Sequence, residues 1–459
     1  MPKLDPTTNE FREAAHRAVD WIADYFDRID DYRVLPQVQP GDIEKQFADA
    51  ASESGKPYDA LMAELEQKIM PGITHWNHPS FFAYFSVTGS QAGVVGEMLS
   101  AALNINGMLW RTSPAVTELE TLALRWLRDA LGLPANLFGI INDTASINVF
   151  LALAAAREAT GLDIRGQGMT GRDLPPLKLY ISELTHSSAE KGALALGIGQ
   201  KNVVRIPVDD QLRMRPDALE EAIARDRAAG AIPFAIVATV GTTSFASVDP
   251  IRAIGEIAAR EKIWYHVDTA YAGSAMICPE LRARWDGIEL ADSIVANPHK
   301  WLFTQVDCSV LYTRRPDVLR GTFSLVPEYL KTTDTAEINY MDYGLQLGRR
   351  FRALKLWMVM EHYGLERMRT VIRGHVALAE RLAAELQKRG DVELLAPQSF
   401  GVVVFRKKDE DTMALLERLN ASGDVFVSHT KRGEQFGIRV AIGNGATEWR
   451  HVERILQLL

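Results

Sequence analysis

The sequence predicts an α/β protein organised around a mostly parallel sheet, and two observations carry that expectation. From about residue 86 to about residue 321, short apolar runs at 179–182, 203–206, 233–240, 263–267, 294–296 and 310–313 are separated by segments of helical periodicity. That alternation builds parallel strands joined by crossover helices. In addition, Asp268 and Lys300 stand at the carboxyl ends of two of those runs, where open α/β sheets bind their ligands.

The first helix is expected over 9–29, where Phe11, Ala15, Ala18, Ile22, Tyr25, Phe26 and Ile29 recur at helical spacing and Thr7 with Glu10 forms a capping box. So wide an apolar stripe near a terminus needs a partner surface, in its own domain or in a second chain. Val34-Leu35-Pro36 and Pro40-Gly41 mark the loop that follows. A helix after Ser113-Pro114 carries Leu119, Leu122, Trp126 and Leu127, with proline at its first position. After about residue 345 the texture changes. Helical segments near 355–363 and 376–388 precede short strands at 402–405 and 438–442, which reads as a smaller α+β unit. Residues 316–344 show few periodic signals and are expected to form a long loop, functional or mobile.

Composition narrows the class. An apolar fraction of 47% and a charged fraction of 24% belong to an ordinary globular protein. The net charge of −8 argues against nucleic acid or an anionic membrane as partner. Cys278 and Cys308 are too few for a disulfide framework, which suits a reducing compartment. The start Met1-Pro2-Lys3-Leu4-Asp5-Pro6 lacks the apolar core of a signal peptide, and no apolar run approaches the roughly 20 residues of a membrane span. A cytoplasmic protein without a membrane anchor or a metal is expected.

The chemistry concentrates in Asn297-Pro298-His299-Lys300-Trp301-Leu302-Phe303-Thr304-Gln305-Val306-Asp307, which follows the apolar run Ser293-Ile294-Val295-Ala296. An ammonium at the mouth of a buried strand loses hydration. A lysine there makes chemical sense as the covalent partner of pyridoxal phosphate. Asp268, in Trp264-Tyr265-His266-Val267-Asp268-Thr269-Ala270-Tyr271-Ala272-Gly273, suits a protonated pyridine nitrogen, although an aspartate there could also simply cap the next segment. Asn142-Asp143-Thr144-Ala145-Ser146 precedes a helical run, so hydroxyls and backbone N–H groups gather where a dianion could bind.

These two segments, with His75-Trp76-Asn77-His78-Pro79-Ser80-Phe81-Phe82-Ala83-Tyr84-Phe85 and Ser113-Pro114-Ala115-Val116-Thr117-Glu118-Leu119-Glu120, resemble the group II pyridoxal-phosphate-dependent amino-acid decarboxylases, in particular the aromatic branch that acts on tryptophan, tyrosine and DOPA. The resemblance runs from about Phe11 to about Ile442. It implies the fold type I, aspartate aminotransferase-like architecture. Residues 1–85 would be a helical arm and dimerisation segment, 86–345 the large cofactor domain and 346–459 the small α+β domain of a homodimer.

It also implies roles. Lys300 is the cofactor lysine, Asp268 the pyridine partner, and Ala270 the small residue against one ring face. His186, in Thr185-His186-Ser187-Ser188-Ala189-Glu190-Lys191, is the histidine on the other face. Thr144, Ala145, Ser146, Thr243, Asn297 and His299 belong to the cofactor-binding set. Tyr329, in Val326-Pro327-Glu328-Tyr329-Leu330-Lys331, is the proton donor to Cα; relatives with phenylalanine there tend to make aldehydes. Trp76, Tyr84 and Phe85 are pocket walls, while Met108 and Val306 stand where aromatic relatives often have phenylalanine. Gly348 matches plant enzymes that take tryptophan, where tyrosine-selective ones tend to have serine. The expected reaction is therefore decarboxylation of aromatic L-amino acids, tryptophan foremost. The alternatives are an aromatic aldehyde synthase or a decarboxylase of a non-aromatic substrate such as glutamate, for which Arg111 would be the available cation. The pattern departs at 143–148, where many relatives read Gly-Ser-Ala-Ser-Glu-Ala and this chain reads Asp-Thr-Ala-Ser-Ile-Asn. An aspartate beside a phosphate is electrostatically unfavourable, so Asp143 is expected to point away.

Overall fold

A computed structural model describes residues 4, 7–87, 89–325 and 337–459. Seven strands form the large sheet: β1 (Phe138–Asn142), β2 (Leu177–Ser182), β3 (Val203–Ile206), β4 (Ile232–Thr239), β5 (Trp264–Asp268), β6 (Ser293–Ala296) and β7 (Ser309–Thr313). Their order is β1-β7-β6-β5-β4-β2-β3. The five strands from β6 to β3 run parallel, and β7 and β1 close the other edge antiparallel. Every residue of β5, β6 and β7 is buried. Helices cover both faces, which explains continuous apolar runs in place of alternation.

The six strands expected from sequence correspond to β2–β7 within two residues at each end. The seventh, β1, escaped because Gly139 sits at its second position. A Cβ there would lie 2.8 Å from the Tyr312 ring on the paired strand, so packing demands the residue that weakens the strand signal.

The helix Thr8–Asp27 forms with its Thr7–Glu10 capping box, and none of its residues is buried. The two helical segments expected at 355–363 and 376–388 are parts of one element, Arg352–Gln387, interrupted at Gly364 (φ 65°, ψ 161°). Within 316–344, where a loop was expected, Pro316–Phe323 is helical with proline opening the first turn. Residues 326–336, Tyr329 among them, lie outside the described residues. Among the described residues no helix is long and apolar enough to cross a membrane.

A second sheet contains β8 (Val392–Leu394), β9 (Val402–Lys407), β10 (Ser428–Arg432) and β11 (Gln435–Ala441), in the order β10-β11-β9-β8 and wholly antiparallel. Strands β8 and β10 were not anticipated. The first has three residues, and the second is the polar edge run Ser-His-Thr-Lys-Arg. The small core under this sheet takes in Phe82. Phe82 N–H donates to Phe426 O at 2.8 Å and Ala441 N–H donates to Phe82 O at 2.9 Å. The aromatic segment before residue 85 is thereby fastened to the second sheet, which sets where Phe85 enters the first.

Candidate active site

A cavity of about 240 Å³ is lined by residues at the carboxyl ends of β4, β5 and β6 and by the segments that follow β1 and β2. Asp268 is the last residue of β5 and lies opposite Thr239, the last of β4. Its carboxylate is 6% exposed, and Oδ1 accepts the Ala270 N–H at 3.0 Å, which fixes its direction. Lys300 follows β6 in the short turn Pro298–Trp301, and its N–H donates to Asn297 O at 2.9 Å. Burial lowers the Lys300 pKa; the Asp268 carboxylate opposes that shift, and the Arg439 guanidinium adds to it. The turn thus holds a lysine biased toward the neutral, nucleophilic amine.

His186 caps the helix Ser187–Ala195. Its Nδ1 accepts the Ser188 N–H at 3.2 Å and lies 2.9 Å from Ser188 Oγ. The neutral ring then carries its proton on Nε2. Burial pushes the His186 pKa down, with Asp268 opposing.

At another part of the cavity, Thr144 caps the helix Ala145–Glu158, and Ala145, Ser146, Thr243, Asn297 and His299 line the wall. Asp143 does not line it. Its Oδ1 accepts both the N–H and the hydroxyl of Thr144, at 2.5 and 3.1 Å, and its Oδ2 accepts Gln346 Nε2–H at 3.2 Å. The carboxylate is thus occupied locally, but it also engages the Thr144 hydroxyl.

Of the pocket walls named from sequence, Phe85 lines this cavity and five do not. Trp76 and Tyr84 stack on each other at 5.7 Å and are 38% and 51% exposed. Val306 is 60% exposed. Met108 and Gly348 meet across Asn106: its Nδ2 donates to Met108 Sδ at 3.7 Å and lies 3.7 Å from a Cβ built on Gly348.

Sequence reasoning did not single out Arg439 on β11, which packs on Phe85 outside the cavity lining. The residue is 4% exposed; its guanidinium lies 4.6 Å from the Phe85 ring centre and donates to Thr243 O and Ala83 O at 2.8 and 3.0 Å. Its Nη2 is buried without a hydrogen-bond partner, and burial lowers its pKa to about 10. Among the described residues no carboxylate lies within ion-pairing distance of it. Nothing in Gly437-Ile438-Arg439-Val440 marks this arginine as special.

The cavity's chemistry suits pyridoxal phosphate. It offers a fixed carboxylate for a pyridinium nitrogen, an amine for a carbonyl carbon, and N–H and hydroxyl donors at a helix N-terminus for a phosphate. The Thr239 hydroxyl, in the same wall, is buried without a partner in the protein. Among the described residues no group of three or more His, Cys, Asp or Glu could hold a metal ion.

Fold and cavity together define a pyridoxal-phosphate-dependent enzyme of the fold type I class. The chain belongs to the pyridoxal-dependent decarboxylase family, whose conserved domain matches residues 40–408. It is 42% identical to a phenylacetaldehyde synthase of Arabidopsis thaliana, covering 99% of this chain and 96% of that protein. It is 40% identical to tryptophan decarboxylase 2 of Oryza sativa subsp. japonica, covering 98% and 94%. The crystal structure of Oryza sativa TDC with PLP and tryptamine superposes with a TM-score of 0.96 at 38% identity, covering 99% of this chain and 98% of that one.

Proposed function

We propose that this chain decarboxylates aromatic L-amino acids, tryptophan foremost and phenylalanine, tyrosine and DOPA besides, to the amine and carbon dioxide. The observation that supports this most is the pairing of Lys300 and Asp268 in one cavity walled by Phe85. When bound, pyridoxal phosphate supplies an electron-poor ring, joined to the substrate nitrogen, that takes up the electron pair left at Cα as carbon dioxide departs. Asp268 would keep the ring nitrogen protonated, with Ala270 and His186 on the two ring faces. Thr144, Ala145, Ser146, Thr243, Asn297 and His299 would hold the phosphate. Lys300 would yield its place to the substrate amine and later help release the product. The His186 Nε2–H or the Tyr329 hydroxyl would return a proton to Cα. The buried charge of Arg439 suits an anionic group of the substrate.

The active unit is read as a cytoplasmic homodimer. Helix Gln91–Leu103 exposes Val95, Met98, Leu99 and Leu103 along one face, and the helix Thr8–Asp27 exposes Phe11. With Trp76, Tyr84 and Val306 these surfaces suit a second copy that completes the aromatic pocket.

A second reading, the aldehyde synthase, is favoured by the 42% identity to the phenylacetaldehyde synthase. The two separate by mass spectrometry of products after incubation of the pyridoxal-phosphate-loaded protein, in air, with L-tryptophan, L-tyrosine, L-phenylalanine, L-DOPA and L-glutamate. Aromatic amines establish the decarboxylase. Arylacetaldehydes without amines establish the synthase, and γ-aminobutyrate alone overturns the aromatic pocket. In Tyr329→Phe, amine output falls while aldehyde, ammonia and hydrogen peroxide rise.

A further inference from the structure

Five buried polar side chains form a chain that ends at the wall of the cavity. The amides of Asn142 and Asn148 meet at 2.7 Å, Asn148 meets Ser309 Oγ at 2.7 Å, and Ser309 Oγ meets the Asn297 amide at 2.5 Å. The Asn297 amide lies 3.2 Å from His299 Nε2. All five residues are at most 6% exposed. They come from β1, the helix Ala145–Glu158, β7 and the segment after β6. Asn148 stands where the family pattern quoted above has alanine, so this link is not part of that pattern.

The hydrogen bonds run toward the cavity. Asn142 Nδ2–H donates to Asn148 Oδ1, Asn148 Nδ2–H donates to Ser309 Oγ, and the Ser309 hydroxyl donates to Asn297 Oδ1. The Asn297 NH₂ therefore lies on the His299 side. His299 Nδ1 accepts the backbone N–H of Cys308 at 2.8 Å. Burial also keeps the ring neutral, lowering its pKa to about 3. A neutral imidazole that accepts at Nδ1 carries its proton on Nε2. Two N–H groups cannot bond each other, so the Asn297 NH₂ and the His299 Nε2–H stand side by side as donors suited to one shared acceptor.

We infer that Asn142, Asn148 and Ser309 are positioning residues: they hold the Asn297 oxygen so that its NH₂, with the His299 Nε2–H, is presented to the phosphate of the cofactor. The inference rests on the reading that Asn297 and His299 belong to the phosphate site. Ser309→Ala leaves the Asn297 oxygen without its donor, frees the amide to turn, and places a carbonyl oxygen near the anion in part of the population. Such a device acts on the phosphate and not on the pyridine ring.

The test compares pyridoxal phosphate with pyridoxal, which lacks the phosphate, as ligands of the apo protein, followed by the absorbance of the lysine-bound chromophore. In Ser309→Ala the Kd for pyridoxal phosphate rises about tenfold, the loss of one buried hydrogen bond to a charged group, while the Kd for pyridoxal stays within about twofold. Asn142→Ala, at the far end, shifts the same ratio in the same direction by less and keeps the test open should Ser309→Ala fold poorly. The ³¹P resonance of the bound cofactor moves in both variants. Equal weakening of both ligands, or of neither, overturns the relay. Failure of the unmodified protein to bind pyridoxal phosphate covalently would instead overturn the site reading beneath it.

Discussion

Phe85 and Tyr271 lie face to face, their ring centres 3.6 Å apart and their planes 11° from parallel. Tyr271 in turn stacks on Trp301 at 4.7 Å and 11°. Trp301 follows Lys300 in sequence, so the column ties the lysine's own turn to the segment fastened on the second sheet. Two nitrogen groups lean on its outer ring, the Arg439 guanidinium at 4.6 Å and the Lys300 amine at 5.6 Å. Apolar stacking and cation–π attraction hold the wall of the cavity at the point where the two sheets meet.

Phe85→Ala should therefore cost about 3–5 kcal/mol, the usual loss for emptying a buried phenylalanine site. Phe85→Leu, which keeps most of the volume but not the stack, should cost about 1–2 kcal/mol. Urea unfolding of the two variants measures both. Equal costs would mean that volume alone matters and that the ring stack adds nothing.

Acid should destabilise the protein earlier than carboxylate protonation alone would. Burial is the main cause that lowers the pKa of His78, His266 and His375 to about 4 and that of His299 to about 3. Each is neutral in the fold and protonates more readily when unfolded. Their contribution is complete above the unfolded histidine pKa of about 6.5 and is lost as pH falls from there toward about 4. Asp249, pushed up to about 6 by burial, works in the opposite sense over much of the same range and cancels about one histidine. The net slope approaches about 4 kcal/mol per pH unit near pH 5, from roughly three protons at about 1.4 kcal/mol each. Urea midpoints at pH 7, 6 and 5 test this, and His375→Gln should flatten the curve. A flat profile between pH 6.5 and 5 would show that these histidines are not held neutral.

Glu120 and Arg349 form a buried ion pair at 2.6 Å, 1% and 4% exposed at their side chains. Glu120 Oε1 also accepts the Ile141 N–H at 3.0 Å, and Arg349 Nη2–H donates to Ile141 O at 2.8 Å. The pair therefore clamps β1 to the start of the long helix. Glu120→Ala should destabilise by about 3–5 kcal/mol because it strands a buried guanidinium, while the double change Glu120→Leu with Arg349→Met should recover a large part of that. A double variant no more stable than the single one would mean that the lost bonds to Ile141, and not the stranded charge, dominate.

What the sequence disclosed follows the range over which each signal acts. Lys300 and Asp268 could be singled out because each lies in a short segment of distinctive order, and the fold brings both to one cavity; β2–β7 were legible because buried strands keep unbroken apolar runs. Strand β1 was hidden by Gly139, chosen for the Tyr312 ring. Arg439 was hidden because it meets Phe85 across 354 positions of chain, and local sequence holds no trace of such a meeting. The partners of Asn297 were hidden for the same reason: Asn148 and Ser309 look like an ordinary helix and strand residue until the sheet order puts β7 near the N-terminus of the helix after β1. Trp76, Tyr84 and Val306 could be named as pocket walls but not placed. All three positions are exposed in the single chain.

The shared neighbour of Gly348 and Met108 makes the proposed role of position 348 in substrate choice testable. Asn106 Nδ2 donates to Met108 Sδ, while Asn106 Oδ1 accepts the Arg349 N–H at 2.9 Å. A Cβ on Gly348 would meet only this amide, at 3.7 and 4.0 Å, which is ordinary contact, and the backbone there is not in the left-handed region. Gly348→Ser should accordingly fold with stability within about 0.5 kcal/mol of the unmodified protein. Its hydroxyl can take the Asn106 N–H from the weakly accepting thioether, and it narrows and polarises the space beside Met108. A polar group fixed in an apolar wall favours a phenol over an indole. The ratio of tyramine to tryptamine from an equimolar mixture of tyrosine and tryptophan should rise by about tenfold, the worth of one hydrogen bond. An unchanged ratio with unchanged melting would place position 348 outside the pocket and remove it from the proposed preference for tryptophan.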